Sequence, residues 1–191
     1  MMTEFFTLFD TAIGRCAIAW RARGIACVQL PEATEPETRA RVLRRFPGAR
    51  ETAPPSEGEF ARDRIVAYLR GEPGDLAPIL LDMDLVPPFH RRVYEAARSI
   101  PRGATMTYGG LAVRIGATGS ARAVGQALAR NPFAIVVPCH RVVAAGGRIG
   151  GFSANGGVVT KSRLLAIEGH EQSAVGLFGG PSVAIRPRRY G

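Results

Sequence analysis

Lysine is almost missing from this 191-residue chain: Lys161 is the only one among 25 basic residues. Cysteine is scarce as well, and Cys16, Cys27 and Cys139 form no CxxC pair. That excludes a disulfide scaffold and the standard cysteine-rich zinc modules. No apolar run approaches the ~18 residues that a bilayer span requires. Met1-Met2-Thr3-Glu4 lacks the basic flank of a secretory signal, so a cytoplasmic protein is expected. Carboxylates run out halfway along the chain. Residues 1–85 carry 11 Arg and 13 Asp or Glu, a balance of −2, whereas residues 86–191 set 14 Arg or Lys against only Glu95, Glu168 and Glu171, a balance of +11. Codon usage can favour Arg over Lys, but it does not remove carboxylates from one half. A basic excess confined to one region suits a phosphate-binding surface. The rest of the composition, 46% hydrophobic and 21% charged, is that of a globular protein long enough to bury a core.

Short runs rich in Phe, Ile, Val and Leu predict strands over 5–9, 15–20 and 25–30, with Gly14 and Gly24 at the turns. Helices are expected over Pro36–Phe46 and Glu59–Arg70, the second with Phe60, Val66 and Leu69 on its apolar side. Leu76–Leu85 reads as an extended segment returning to the sheet. Cys16 and Cys27 fall in apolar strand patterns, as buried hydrophobes do. Pro87-Pro88 punctuates the chain where the charge changes, which places a boundary near residue 86. Phe89, Val93, Ala96, Ala97 and Ile100 recur at helical spacing. Thr107 and Ser120 are candidate caps for two further short helices, the second with the small residues Ala121, Ala123, Gly125 and Ala127. Such a pair is either a helix-turn-helix or an ordinary αα-hairpin.

Phe133–Val137 reads as a short buried strand running into Pro138-Cys139-His140-Arg141-Val142-Val143. The adjacent positive charge is expected to favour the reactive thiolate of Cys139. In extended chain His140 points away from its neighbour, so it serves the thiol only through a bend or a bridging water. Glu168 and Glu171 are the only carboxylates downstream that could orient the imidazole. Spacing alone leaves a Cys/His/Glu trio open.

Ile100-Pro101-Arg102-Gly103, Thr107-Tyr108-Gly109, Ala121-Arg122-Ala123-Val124-Gly125, Asn131-Pro132, the Pro138–Val143 run, Lys161, Leu164-Leu165 and Glu168-Gly169 follow one another in order. This series resembles the alkylguanine-DNA alkyltransferases (methylated-DNA–protein-cysteine methyltransferases) over about residues 87–170. Residues 1–85 resemble the family's N-terminal domain more loosely, through Phe9–Gly14. The resemblance implies an α+β protein: a ribonuclease-H-like domain over 1–85, a mainly helical, winged-helix-like DNA-binding and alkyl-acceptor domain with a helix-turn-helix over 86–170, and an extra tail over 171–191. It implies DNA repair by direct reversal, in which Cys139 accepts the alkyl group of 6-O-alkylguanine, and of 4-O-alkylthymine, once per molecule. By the same resemblance His140 acts as base through a water, Glu168 holds the imidazole, Tyr108 donates to the departing guanine, and Asn131 braces the active loop. Arg122 fills the gap left by the rotated nucleotide, and Ala121, Ala123 and Gly125 let the helix sit in the minor groove. Pro138, Val142, Phe152 and Ser153 line the substrate pocket. The expected partner is double-stranded DNA bound by a monomer, nucleoid-associated in a bacterium, with no membrane, cofactor or metal.

The loop Gly150–Gly157 is slightly longer than the family pattern, which bears on the size of adduct accepted. The zinc ligands of some relatives have no counterpart here. Gly176–Pro181 suggests a loosely docked tail. Phosphate contacts are expected among Arg91, Arg92, Arg102, Arg114 and Arg130, at least half of which should prove to be plain solvated residues. Two other classes are consistent with parts of the pattern. One is a non-catalytic lesion-binding relative, which would lack the acceptor cysteine; the other is a cysteine hydrolase, which would need an oxyanion hole.

Overall fold

The computed structural model describes residues 4–170; the 171–191 extension lies outside the described residues. The strand-forming runs make an antiparallel meander, β1 (Phe5–Thr11), β2 (Gly14–Arg21) and β3 (Gly24–Gln29). Gly14 at φ 124° and Gly24 at φ 134° turn the chain where a side chain would be strained. A short β4 (Arg50–Glu51) adds in parallel beside β1, giving the order β3-β2-β1-β4. Alternation decides what each face carries. Cys16, Ile18 and Trp20 of β2 point into the larger core, while Ala17 and Ala19 point the other way. On that second side α1 (Glu35–Arg45) covers the sheet with Val42, its start capped by the Thr34 hydroxyl at 3.4 Å from the Glu37 N–H. Ala26 and Cys27, though adjacent, share the α1 face, because the pairing skips from Ala19↔Cys27 to Trp20↔Ile25 and bulges out Ala26.

On the larger core's side lies α2 (Ser56–Leu69). It starts three residues earlier than its pattern suggests, and its buried face is Ala61, Ile65, Tyr68 and Leu69. Phe60, expected inside, is 43% exposed. Residues 76–85 are mostly turns. Only Leu81 bridges to the sheet, opposite Ile25, flanked by Ile25 N–H to Leu80 carbonyl at 2.9 Å and Asp82 N–H to Ile25 carbonyl at 2.8 Å.

The second half contributes α3 (Pro88–Arg98), α4 (Tyr108–Arg114), α5 (Ala121–Ala129) and α6 (Gly157–Ile167). Val93, Tyr94, Ala97, Leu111, Val124, Ala127 and Leu164 join the same core as the sheet. The Tyr94 hydroxyl donates to the Ala127 carbonyl at 3.0 Å, tying α3 to α5. Thr107 caps α4 through the Gly110 N–H at 3.0 Å, a contact worth about 1 kcal/mol. Ser120 stands at the start of α5 without a side-chain cap bond. A small parallel pair, β5 (Met106–Thr107) and β6 (Val142–Val143), joins the two parts of this region. The molecule is a mixed α+β protein. Among the described residues no helix is long and apolar enough to cross a membrane.

Residues 133–137 are buried, apart from the half-buried Ala134, but are not the expected strand. Val28 on the sheet edge receives only Phe133, and the chain then doubles back. The Val137 N–H returns to the Phe133 carbonyl and the Val136 N–H to the Ala134 carbonyl, both at 2.8 Å. Ile135 sits at φ 62°, the one non-glycine residue at positive φ among those described. A β-branched residue there costs about 1–3 kcal/mol, offset by its burial. The reversal brings the next residues back against the end of α5.

Candidate active site

The reversed chain enters a single 3-10 turn, Cys139–Arg141, directly after Pro138. Asn131, just past the end of α5, fixes this turn from below. Its side-chain amide donates to the Val137 carbonyl at 2.9 Å and to Cys139 Sγ at 3.5 Å, while its oxygen accepts the Phe133 N–H at 2.9 Å. Cys139 is half-buried at a cavity of about 110 Å³, beside Asn131, Phe152, Ser153 and Ala154. The far wall comes from the first half of the chain, including Arg41 and Arg45. Burial pushes the Cys139 thiol up, against smaller opposing effects of the Asn131 amide and the Lys161 charge. The thiol is therefore protonated at neutral pH and needs a base. Arg141, whose charge was expected to support a thiolate, turns the other way.

His140 is fully buried, with Nε2 2.7 Å from Glu168 Oε1. Its Nδ1 is the one buried side-chain polar atom with no partner among the described residues. Burial lowers the imidazole's affinity for a proton, and Arg141 and Lys161 add to that against the pull of Glu168. Glu168 caps the end of α6 and is crowded with donors. Arg141 Nε lies 3.0 Å from both carboxylate oxygens, the Gly103 N–H reaches Oε2 at 3.1 Å, and the Tyr68 hydroxyl donates to Oε1. Burial alone would raise this carboxyl, but His140, Arg141 and Tyr68 together hold it well below the usual carboxylate range. It is ionised at neutral pH.

Lys161, inside α6, is buried and donates to the Val142 carbonyl at 2.6 Å. It also lies 5.8 Å from the centre of the Tyr108 ring. Tyr108 opens α4 and is clasped between two glycines. A Cβ at Gly150 would come within 3.1 Å of the ring, and one at Gly125 within 3.8 Å. Burial, and the proximity of Cys139, push the phenol up, so it stays a donor. Pro138 and Val142 are buried behind the turn rather than on the cavity wall. Arg122 stands exposed in the first turn of α5, with Ala121, Ala123 and Gly125 half-buried beside it.

Cys139, His140, Glu168 and Asn131 thus converge on one turn, with Tyr108 joined to them through Lys161; Arg122 stands apart on the surface. Tyr68, which no sequence motif points to, also belongs to this cluster, as does Gly103, which the Ile100–Gly103 motif contains but to which the resemblance assigns no role. One local signal existed for Tyr68: it shares the buried face of α2 with Ala61 and Ile65, and a buried phenol needs a hydrogen-bond partner. A thiol at a cavity, an imidazole with one free ring nitrogen and a locked carboxylate suit nucleophilic attack assisted by a base.

The chain is similar to several known proteins. The family model described as 6-O-methylguanine DNA methyltransferase, DNA binding domain, matches residues 88–170. A Mycobacterium leprae methylated-DNA–protein-cysteine methyltransferase is 43% identical over 120 residues, covering 61% of this chain and 70% of the relative. A Thermus thermophilus DNA base-flipping protein is 40% identical over 131 residues, 67% of this chain and 86% of its own. The Mycobacterium tuberculosis OGT solved in complex with DNA superposes with a TM-score of 0.71 at 34% identity, covering 86% of this chain and 92% of that one. Matched through both halves and along the run that builds the Cys139 turn, the chain belongs to the methylated-DNA–protein-cysteine methyltransferase family.

Proposed function

We propose that this protein repairs DNA by direct reversal, moving the alkyl group from the 6-oxygen of guanine, or the 4-oxygen of thymine, onto Cys139. His140 Nδ1 takes the thiol proton through a water molecule, and the ionised Glu168 steadies the resulting imidazolium. The sulfur attacks the alkyl carbon, the S–C bond forms, and the C–O bond breaks with its electron pair leaving on the base. Tyr108 donates to the departing purine. The product is a thioether, which no neighbouring group can hydrolyse, so each molecule acts once.

Reaching an alkyl group in the duplex requires the nucleotide to rotate out, at a cost of a few kcal/mol that is smaller for a mispaired lesion. In this reading α4 and α5 form a helix-turn-helix within a winged-helix-like domain beginning near residue 86, and α5 enters the minor groove. Ala121, Ala123 and Gly125 permit close approach, and Arg122 occupies the vacated place in the stack. Pro138 and Val142 shape the pocket from behind, with Phe152 and Ser153 over the alkyl group. The first half takes the ribonuclease-H-like role, and the protein binds as a monomer.

The observation that carries the proposal is a thiol at a cavity set in the same turn as a buried imidazole whose Nδ1 alone lacks a partner among the described residues. A non-catalytic lesion binder has no use for that pairing. The test is intact-protein mass after incubation with a duplex containing 6-O-methylguanine. One methyl per molecule on Cys139, with no second round, is expected; turnover, or methylation elsewhere, overturns the reading.

A further inference from the structure

Among the described residues of the first half, Tyr68 alone hydrogen-bonds to the His140–Glu168 pair. Its α2 backbone lies in the region that opposes the sheet, yet its hydroxyl donates to Glu168 Oε1 and its oxygen lies 3.2 Å from His140 Nε2. Tyr68 is buried, and the Arg102 guanidinium stacks over its ring at 5.2 Å. From this geometry, and resting on the alkyl-transfer reading above, we propose that Tyr68 is a positioning residue of the reaction: its hydroxyl holds Glu168 in place and keeps the neutral His140 proton on Nε2, leaving Nδ1 as the base toward Cys139.

The argument is one of donors and acceptors. An ionised carboxylate only accepts, and it is a stronger acceptor than a neutral ring nitrogen, so the Tyr68 proton goes to Glu168. The lone pairs of the phenol oxygen then face Nε2. If Nε2 were bare, it would meet two oxygen acceptors with no proton between them. A proton on Nε2 serves both oxygens, and a neutral imidazole then has its lone pair on Nδ1. The other charged or titratable groups facing the pair are Arg141 from the same turn, Lys161 from α6 and Cys139. Arg102 acts from above the Tyr68 ring, and His170 bonds through Nδ1 to the Gly103 carbonyl at 2.9 Å. None of these supplies a second oxygen beside Nε2.

The phenol also tempers Glu168. By sharing the carboxylate's charge it weakens that group's pull on the imidazole, so its removal makes His140 more basic. Transfer requires a neutral His140, and the rate falls as the pH drops through that group's titration. In Tyr68→Phe, the acid limb of the single-turnover methyl-transfer rate therefore moves to higher pH, by about one unit. Affinity for the duplex stays unchanged. A fluorinated tyrosine at position 68, whose hydroxyl is a stronger donor, moves the limb the other way. A purely structural role would lower the melting temperature and leave both limbs where the unmodified protein has them.

The experiment measures the pH dependence of methyl transfer from a 6-O-methylguanine duplex to the full chain, as wild type, as Tyr68→Phe and with fluorotyrosine at 68. Opposite displacements of the acid limb support the proposal. Superposed profiles in a wild type and variants that all transfer methyl overturn it. Should Tyr68→Phe fail to fold, the fluorotyrosine form decides alone, a downward displacement supporting the proposal and none overturning it. A wild type that takes no methyl on Cys139 sinks the alkyl-transfer reading itself, which is a distinct result.

Discussion

The two halves of the molecule use arginine in opposite ways. In residues 4–85 most guanidinium groups pair with carboxylates, among them Arg15 with Glu35 at 3.1 Å, Arg21 with Glu4 at 2.9 Å and Arg39 with Glu51 at 2.9 Å. Beyond residue 85 every ion pair among the described residues is made by Glu168. There arginines bind carbonyls instead. Arg91 reaches Met83 at 2.6 Å, Arg98 reaches Ala77 at 2.6 Å, and Arg163 reaches Ala12 at 2.7 Å, while Arg92 holds Ile115. Arg102 bonds to the Ile167 carbonyl at 3.0 Å and Arg114 to the Ser99 hydroxyl at 2.9 Å. Carbonyls share a guanidinium without neutralising it. The first half meets most of its guanidinium charge with carboxylates; the second keeps a positive field while still using the side chains as struts. Of the five arginines expected to meet phosphate, only Arg130 makes no side-chain hydrogen bond or ion pair among the described residues, a state it shares in this half with Arg122 and Arg148.

The contrast can be broken most completely at Cys139. Cys139→Ser is expected to abolish methyl transfer while duplex binding, followed by fluorescence anisotropy, persists; any residual transfer would place the acceptor elsewhere. Glu168→Gln comes next. It strips the carboxylate from Arg141 inside the protein, and losing one partner of a buried pair costs about 3–5 kcal/mol. Urea denaturation should register that loss, whereas Glu51→Gln, at an exposed pair in the first half, should leave the unfolding midpoint almost unmoved.

The surface arginines sharpen the comparison further. Arg122→Ala should weaken lesion-duplex binding about tenfold, equivalent to about 1.4 kcal/mol. Arg130→Ala should lower the slope of log affinity against log salt by about one phosphate's worth, near 0.9. Arg92→Ala, at a strut, should lower stability and leave that slope alone. The smallest effect is on stability against pH. His140 has its folded proton affinity depressed by burial, so below its ordinary value of 6.5 the unfolded chain binds more protons than the folded one. Stability is then full above about pH 6.5 and declines as the pH falls through that region. The partly buried His90, lowered by burial and by Arg130, adds to the decline. Thermal melts of wild type and His140→Gln should diverge least near pH 8 in their slope and most near pH 5.

What could be read from the sequence follows physical range. Strands β1–β3 were legible because alternation and turn glycines are local, and α3 because Pro87-Pro88 and Pro101 bracket a helical period. Cys139, His140 and Glu168 were legible because the motif run is ordered, although spacing alone left Glu171 as an alternative. The turn at Ile135 was not, since Val-rich apolar sequence reads as strand and nothing local marks the reversal that follows the single bridge of Phe133 to Val28. The bulge at Ala26 was hidden because it depends on pairing with β2. Tyr68 lay a hundred residues from Glu168, where no periodicity reaches. The destination of Arg141 was likewise set by a helix arriving from far along the chain.

The left-handed isoleucine has a bearing on how the protein would wear out. Local preference disfavours the hairpin that presents the sulfur, and the surrounding hydrocarbon, together with the hydrogen bonds of Asn131, keeps it shut. Loosening that hydrocarbon, by heat or by trimming Phe133 or Val137, would release the acceptor loop well before the meander melts. Repair competence would then be the first property to go, in a molecule that still looks folded by its bulk spectra.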